Sequence, residues 1–113
     1  MKNFVNSGQV VDVAAPYNVA SGAGALVGSL FGVAQGTALS GATVSLVTRG
    51  VFDLAKAASQ AWAVGARVYW DDTAKACTTT ASTNKLIGVA VAAVGSGAGE
   101  TTGRVLLSGA MTL

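Results

Sequence analysis

The stretch Gly22-Ala23-Gly24-Ala25-Leu26-Val27-Gly28-Ser29-Leu30-Phe31-Gly32-Val33-Ala34-Gln35-Gly36 admits two readings with opposite consequences for the fold. Gly24, Gly28, Gly32 and Gly36 recur every four residues, and the uncharged run from Val19 to Leu39 is long enough to span a bilayer as a helix with a small-residue packing face. The same glycines, with Leu26 and Leu30, also stand at even positions, which share one face of an extended chain, while Val27, Phe31 and Val33 take the other. In water a helix would carry each of these glycines at a cost of about 1 kcal/mol relative to alanine. The flanks, Pro16-Tyr17-Asn18 and Gln35-Gly36, are turn chemistry and carry neither the Lys/Arg cluster nor the aromatic belt of a spanning helix. The extended reading is preferred, with a bulky face and a small face that lets another backbone approach closely.

The same period of two continues beyond it. From Thr43 to Leu54, residues Val44, Leu46, Thr48, Gly50, Phe52 and Leu54 take one face, and Thr43, Ser45, Val47, Arg49, Val51 and Asp53 the other. Gly50 marks a bulge or bend that turns a barrel corner. Lys56 to Ala63, rich in Ala and Gln and closed by Gly65, is the one plausible helical turn. Arg67-Val68-Tyr69-Trp70, the turn formers Asp71-Asp72-Thr73 and the run Lys75 to Thr80 read as a hairpin with Val68 and Trp70 facing together. Leu86 to Val94 reads as a core strand with Ile87, Val89 and Val91 in phase, and Gly103 to Leu107 as the last strand. About seven short strands separated by Gly-rich turns predict an all-β, small single-domain β-barrel or β-sandwich, with residues 1–7 as an N-terminal arm, residues 8–113 as the domain and at most one short helical turn.

Composition closes several functional routes. The 113 residues are 51% hydrophobic and only 11% charged, with a net charge of +2 and no histidine. Low charge with high hydrophobicity is the reverse of disorder. Without imidazole there is no Ser-His-Asp or Cys-His arrangement and no histidine metal ligand, so no enzyme is expected. The lone Cys77 has no partner for a disulfide or a Cys-x-x-Cys site and reads as an inert small hydrophobe rather than a reactive thiol. The N-terminus has no continuous apolar run before Asp12, so it does not read as a secretory signal. Lys2, Arg49, Lys56, Arg67, Lys75, Lys85 and Arg104 are scattered, so no basic stripe for direct nucleic-acid binding forms. Asp71 and Asp72, adjacent in sequence, read as turn formers rather than a catalytic pair. Gly95, Gly97 and Gly99 precede a strand rather than a helix, which argues for a hairpin connection and against a phosphate cradle. No cofactor and no metal are expected.

Met1-Lys2-Asn3-Phe4-Val5, Ser21-Gly22, the block Val27-Gly28-Ser29-Leu30-Phe31-Gly32-Val33-Ala34 and the block Gly50-Val51-Phe52-Asp53-Leu54-Ala55-Lys56-Ala57 occur in that order. Trp62, Gly65, Val68-Tyr69-Trp70-Asp71, Thr78-Thr79-Thr80, Asn84 and Ile87-Gly88-Val89-Ala90 follow. Together they resemble the capsid cement, or head decoration, proteins of tailed bacteriophages over essentially the whole chain. The chain departs from that pattern at Ala55, where the family often has proline, which leaves the turn ahead less rigid. The resemblance implies a β-tulip-like fold and a structural virion protein. It also implies a location on the outer surface of the capsid, with the host cytoplasm as the site of assembly, the major capsid protein as partner, and a homotrimer near local three-fold positions that ties capsid subunits together. A spike, fibre or tail subunit of similar all-β fold, or a small membrane protein, are the alternatives.

Candidate contact residues follow from two features. Lys2, Asn3, Phe4 and Val5 precede the first good strand and either lie as an arm across a capsid subunit or form a frayed terminus. Trp62, Tyr69 and Trp70 hold most of the aromatic content. Trp70 shares a face with Val68 and reads as core, whereas Trp62 and Tyr69 divide evenly between core filler and interface anchor.

Overall fold

The computed structural model describes residues 9–108, which form nine strands and no helix. They are β1 (Val10–Ala14), β2 (Gly24–Val27), β3 (Leu30–Ala34), β4 (Thr43–Val47), β5 (Arg49–Ala55), β6 (Arg67–Asp71), β7 (Ala76–Thr78), β8 (Lys85–Ala90) and β9 (Thr102–Ser108). Two antiparallel sheets result, with orders β1-β4-β3-β2 and β5-β9-β8-β6-β7, a small β-sandwich arrangement. The larger sheet curls until its edges meet at one end, where Lys56 bridges Cys77 and the Ala57 N–H donates to the Cys77 carbonyl at 2.8 Å.

The glycine-rich stretch is extended but is a hairpin, not one strand. Gly28 and Ser29 make a two-residue turn, with Gly28 at φ +60°, a conformation glycine adopts without a Cβ penalty. Because Val27 pairs with Leu30 and Leu26 with Phe31, odd and even positions exchange faces across the turn. Leu26 therefore joins Phe31 and Val33 against the larger sheet, instead of lying opposite them, while Ala25 and Ala34 face the other way. The glycines do permit close approach, now one on each face of the hairpin. A Cβ at Gly32 would lie 2.7 Å from the Leu46 Cβ, and one at Gly24 2.8 Å from the Phe31 ring.

β4 and β5 follow the alternation read from sequence. Val44, Leu46, Thr48 and Leu54 are each at most 3% exposed and Phe52 is half-buried. The chain crosses from one sheet to the other at Thr48, whose N–H donates to the Gln9 carbonyl at 2.8 Å. Gly50, two residues on, takes φ +123°. The β6–β7 hairpin also forms as expected, with Trp70 opposite Cys77.

Two local expectations fail for non-local reasons. Residues 56–63 are not helical: Lys56 and Trp62 are drawn into bridges with Cys77 and Val94, and the Gln60 amide brackets the segment by accepting from Trp62 Nε1 at 2.9 Å and the Thr79 N–H at 2.8 Å. Those long-range bonds override alanine's helical propensity. In β8 the register shifts opposite Val68 and Tyr69, making Ile87 the extra residue of a bulge, so Ile87, Gly88 and Ala90 are buried while Val89 turns outward.

The larger core holds Phe31, Val33, Leu54, Trp62, Val68, Trp70, Cys77, Ile87, Ala90, Val105 and Leu107. Phe31 from the smaller sheet meets Trp70 at a centroid distance of 5.1 Å and a tilt of 51°, so one aromatic pair joins the two sheets. The smaller core is built of Ala15, Val19, Ala25, Ala34, Ala38, Val44 and Leu46. No helix of the described residues is long and apolar enough to cross a membrane.

Candidate interaction surface

Inward alternation on β5, β9, β8 and β6 leaves an ordered set of side chains on the outer face of the larger sheet. Val51 pairs with Leu106, Leu106 with Val89, and Val89 with Arg67, so one row crosses four adjacent strands. Val51 is 52% and Leu106 42% exposed, and Val89 is half-buried. Cross-strand neighbours of this kind stand about 5 Å apart, so the three apolar side chains make a continuous strip. The half-buried pair Tyr69 and Leu86 extends it on β6 and β8. Arg49, two residues before Val51, and Arg67 at the far end of the row are both exposed. Neither has an ion-pair partner among the described residues.

Beside the strip, the Arg104 guanidinium grips Asp53 through two bonds of 2.9 and 3.2 Å. That pairing holds the Asp53 carboxyl below its ordinary range and raises Arg104. The pair is solvent-exposed, so it orders the face more than it stabilises the fold.

A second cluster lies where the β1–β2 connection meets the β6–β7 turn. The Tyr17 hydroxyl accepts from the Leu26 N–H at 3.3 Å and donates to Asp72 Oδ1 at 3.2 Å, and Trp70 Nε1 donates to the same oxygen at 3.0 Å. Lys75 completes it, 3.3 Å from Asp72 and 4.0 Å above the Tyr17 ring. Burial pushes the Tyr17 hydroxyl up to about 12, so at neutral pH it is a phenol able to donate. Asp71 Oδ1 accepts from the Thr73 and Ala74 N–H groups at 3.0 and 3.2 Å, the turn role read from sequence. Both carboxylates are thus engaged by their own turn and its neighbours. An open cleft of about 600 Å³ beside them is lined by Asp71, Thr73, Thr78, Thr80, Ser82 and Asn84 among others.

The sequence-derived contact residues separate sharply. Trp62 is 2% exposed and belongs to the core, with Lys56 Nζ 5.8 Å from its ring centre and Gly103 so close that a Cβ there would strike the indole. Trp70 is likewise core, as expected. Tyr69 is half-buried on the outer face, beside the strip. Lys2, Asn3, Phe4 and Val5 lie outside the described residues. Cys77 is fully buried, and that burial pushes its thiol up to about 12, in keeping with an inert hydrophobe. Among the described residues no group of three or more His, Cys, Asp or Glu could hold a metal ion. The Gly95–Gly99 connection leads into β9, with the Glu100 N–H closing a turn on the Gly97 carbonyl at 3.0 Å.

Sequence reasoning missed Val51, Leu106 and Val89 as surface residues. The signal for Val51 was present: it shares its face with Arg49 and Asp53, which mark that side as solvent-facing. Val89 was hidden by the bulge.

Two antiparallel sheets, with ordered apolar and charged groups on an outer face, make up an all-β module. The sequence model described as "Phage cement protein" matches residues 5–107, nearly the whole chain. The chain belongs to this family of phage capsid cement proteins, a structural and non-enzymatic family. Membership implies a place on the virion capsid and binding to capsid proteins. No curated protein and no solved structure matches the chain significantly.

Proposed function

We propose that the protein binds the outer surface of the expanded phage head as a homotrimer and cements neighbouring major capsid subunits against the pressure of packaged DNA, after assembly in the host cytoplasm. The family match over residues 5–107 carries this reading. Binding the mature shell and not its dissociated subunits stabilises the shell by mass action, and three linked contacts on a symmetric lattice add through effective concentration. The low charge of the chain suits a surface that neighbours cover in a fixed lattice. Residues 1–7 act as an arm laid across a capsid subunit, ahead of the domain formed by residues 8–113.

Purified protein added to expanded, undecorated heads should appear as extra density over the head lattice in electron micrographs and should raise the temperature at which heads release DNA. Deleting residues 1–6 should abolish that density while the strand signature in circular dichroism persists. Failure of the full chain to bind any head form sinks the proposal, and density confined to the tail assigns it to another virion component.

A further inference from the structure

We propose that the outer face of the larger sheet is the surface that docks on the shell, and that it fits an acidic protein surface with an apolar centre rather than a second copy of itself. This inference rests on the cementing reading. Val51, Leu106 and Val89 form a contiguous strip on three adjacent strands, whereas the exposed Leu39 and Val64 stand in separate connections. An apolar strip with a polar rim is the anatomy of a docking surface.

The charges at the ends of the strip select the partner. Arg67 closes the row on β6 and Arg49 flanks Val51 on β5, about 16 Å away, three strand spacings across the sheet and two residues along it. Both lack an ion-pair partner among the described residues. The two carboxylates on this face are engaged elsewhere, Asp53 by Arg104 and Asp71 by the amides of its own turn. Each lies four residues along its strand from the nearer unpaired arginine, about 13 Å, beyond the screening length of about 8 Å at physiological salt. Arg49 and Arg67 therefore present forked donors with no carboxylate to receive them among the described residues. Carboxylates on either side of an apolar centre would accept both pairs in bidentate fashion. Two copies of the same face would instead set arginines against arginines, which selects against that pairing.

The test uses the full chain and expanded, undecorated heads. Arg49→Glu/Arg67→Glu should weaken head binding about tenfold or more, and Leu106→Asp by a similar factor, while Lys85→Glu, the same charge reversal beside the polar cleft, should change it less than about twofold. Wild-type binding should also weaken as salt rises from 50 to 300 mM. The milder Arg49→Gln/Arg67→Gln pair, with circular dichroism and a thermal melt on every variant, separates lost docking from lost folding. Wild-type binding with equal binding by both arginine double variants overturns the inference and leaves the cementing reading intact. A change of mass by light scattering at unaltered head affinity assigns the face to contacts between copies and also overturns it. Failure of the wild type to bind heads removes both.

Discussion

The two sheets solve the same packing problem with different residues. The larger one closes around Trp62, Trp70, Val68, Ile87 and Val105, and the smaller is filled by Ala15, Ala25, Ala34 and Ala38 with Val44 and Leu46. Charge follows the same division: apart from Lys2 and Asp12, every charged residue lies at or after Arg49, in the half that builds the larger sheet. Large side chains bury more area per residue and tolerate truncation badly, whereas a core of alanines lets backbones approach and tolerates additions badly. The larger sheet therefore carries the stability and the charged outer face, and the smaller is a close-packed attachment held through Phe31, Val33 and Tyr17.

That contrast breaks most visibly at Phe31. Phe31→Ala should cost about 3–5 kcal/mol in urea unfolding, because it empties the aromatic contact joining the sheets. The opposite change in the other core, Ala34→Leu, should cost about 1–3 kcal/mol by overfilling; an Ala34→Leu variant as stable as the wild type would refute the close packing of the smaller core. Gly103→Ala should fall in the same range, with a shift in tryptophan emission as the Trp62 ring is displaced.

Tyr17→Phe should cost about 1–3 kcal/mol by leaving the Leu26 N–H without its acceptor at the edge of β2. Its effect should also depend on pH. Tyr17 has a folded-state value near 12 against 10.0, and Cys77 near 12 against 9.0, so both hold their protons more tightly when folded. Their contribution is complete below the unfolded values and is lost as pH rises through the interval up to about 12. The urea midpoint should fall between pH 9 and 12, and less steeply in Tyr17→Phe or Cys77→Ala. The smallest expected effect is Asp53→Asn, which releases an exposed pair and should leave the thermal midpoint within error at neutral pH while abolishing any acid-side contribution of that carboxylate.

Legibility from sequence tracked the range of the contacts involved. The alternation through β4 and β5 and the β6–β7 hairpin could be read directly, because each is set by neighbouring side chains and a turn between them. The face assignment of Leu26 could not, because a two-residue turn at Gly28-Ser29 exchanges odd and even positions. Residues 56–63 escaped for a different reason: their partners, Cys77, Val94 and Thr79, lie 19 or more positions away, and local propensity says nothing of them. Of the contact candidates, Tyr69 lies on the outer face and Trp62 went to the core. The strip of Val51, Leu106 and Val89 emerged only once three strands were laid side by side.

By itself the sequence determined the all-β class, the exclusion of histidine chemistry, and the resemblance that family membership bears out, because periodicity, composition and ordered motifs are properties of the chain read in one dimension. The tertiary structure alone decided which side of β2 and β8 meets water and which strands lie side by side, since that depends on strand order, on one turn and on one bulge. A valine placed every second residue is core or surface according to its neighbours across the sheet, and those neighbours are chosen only on folding.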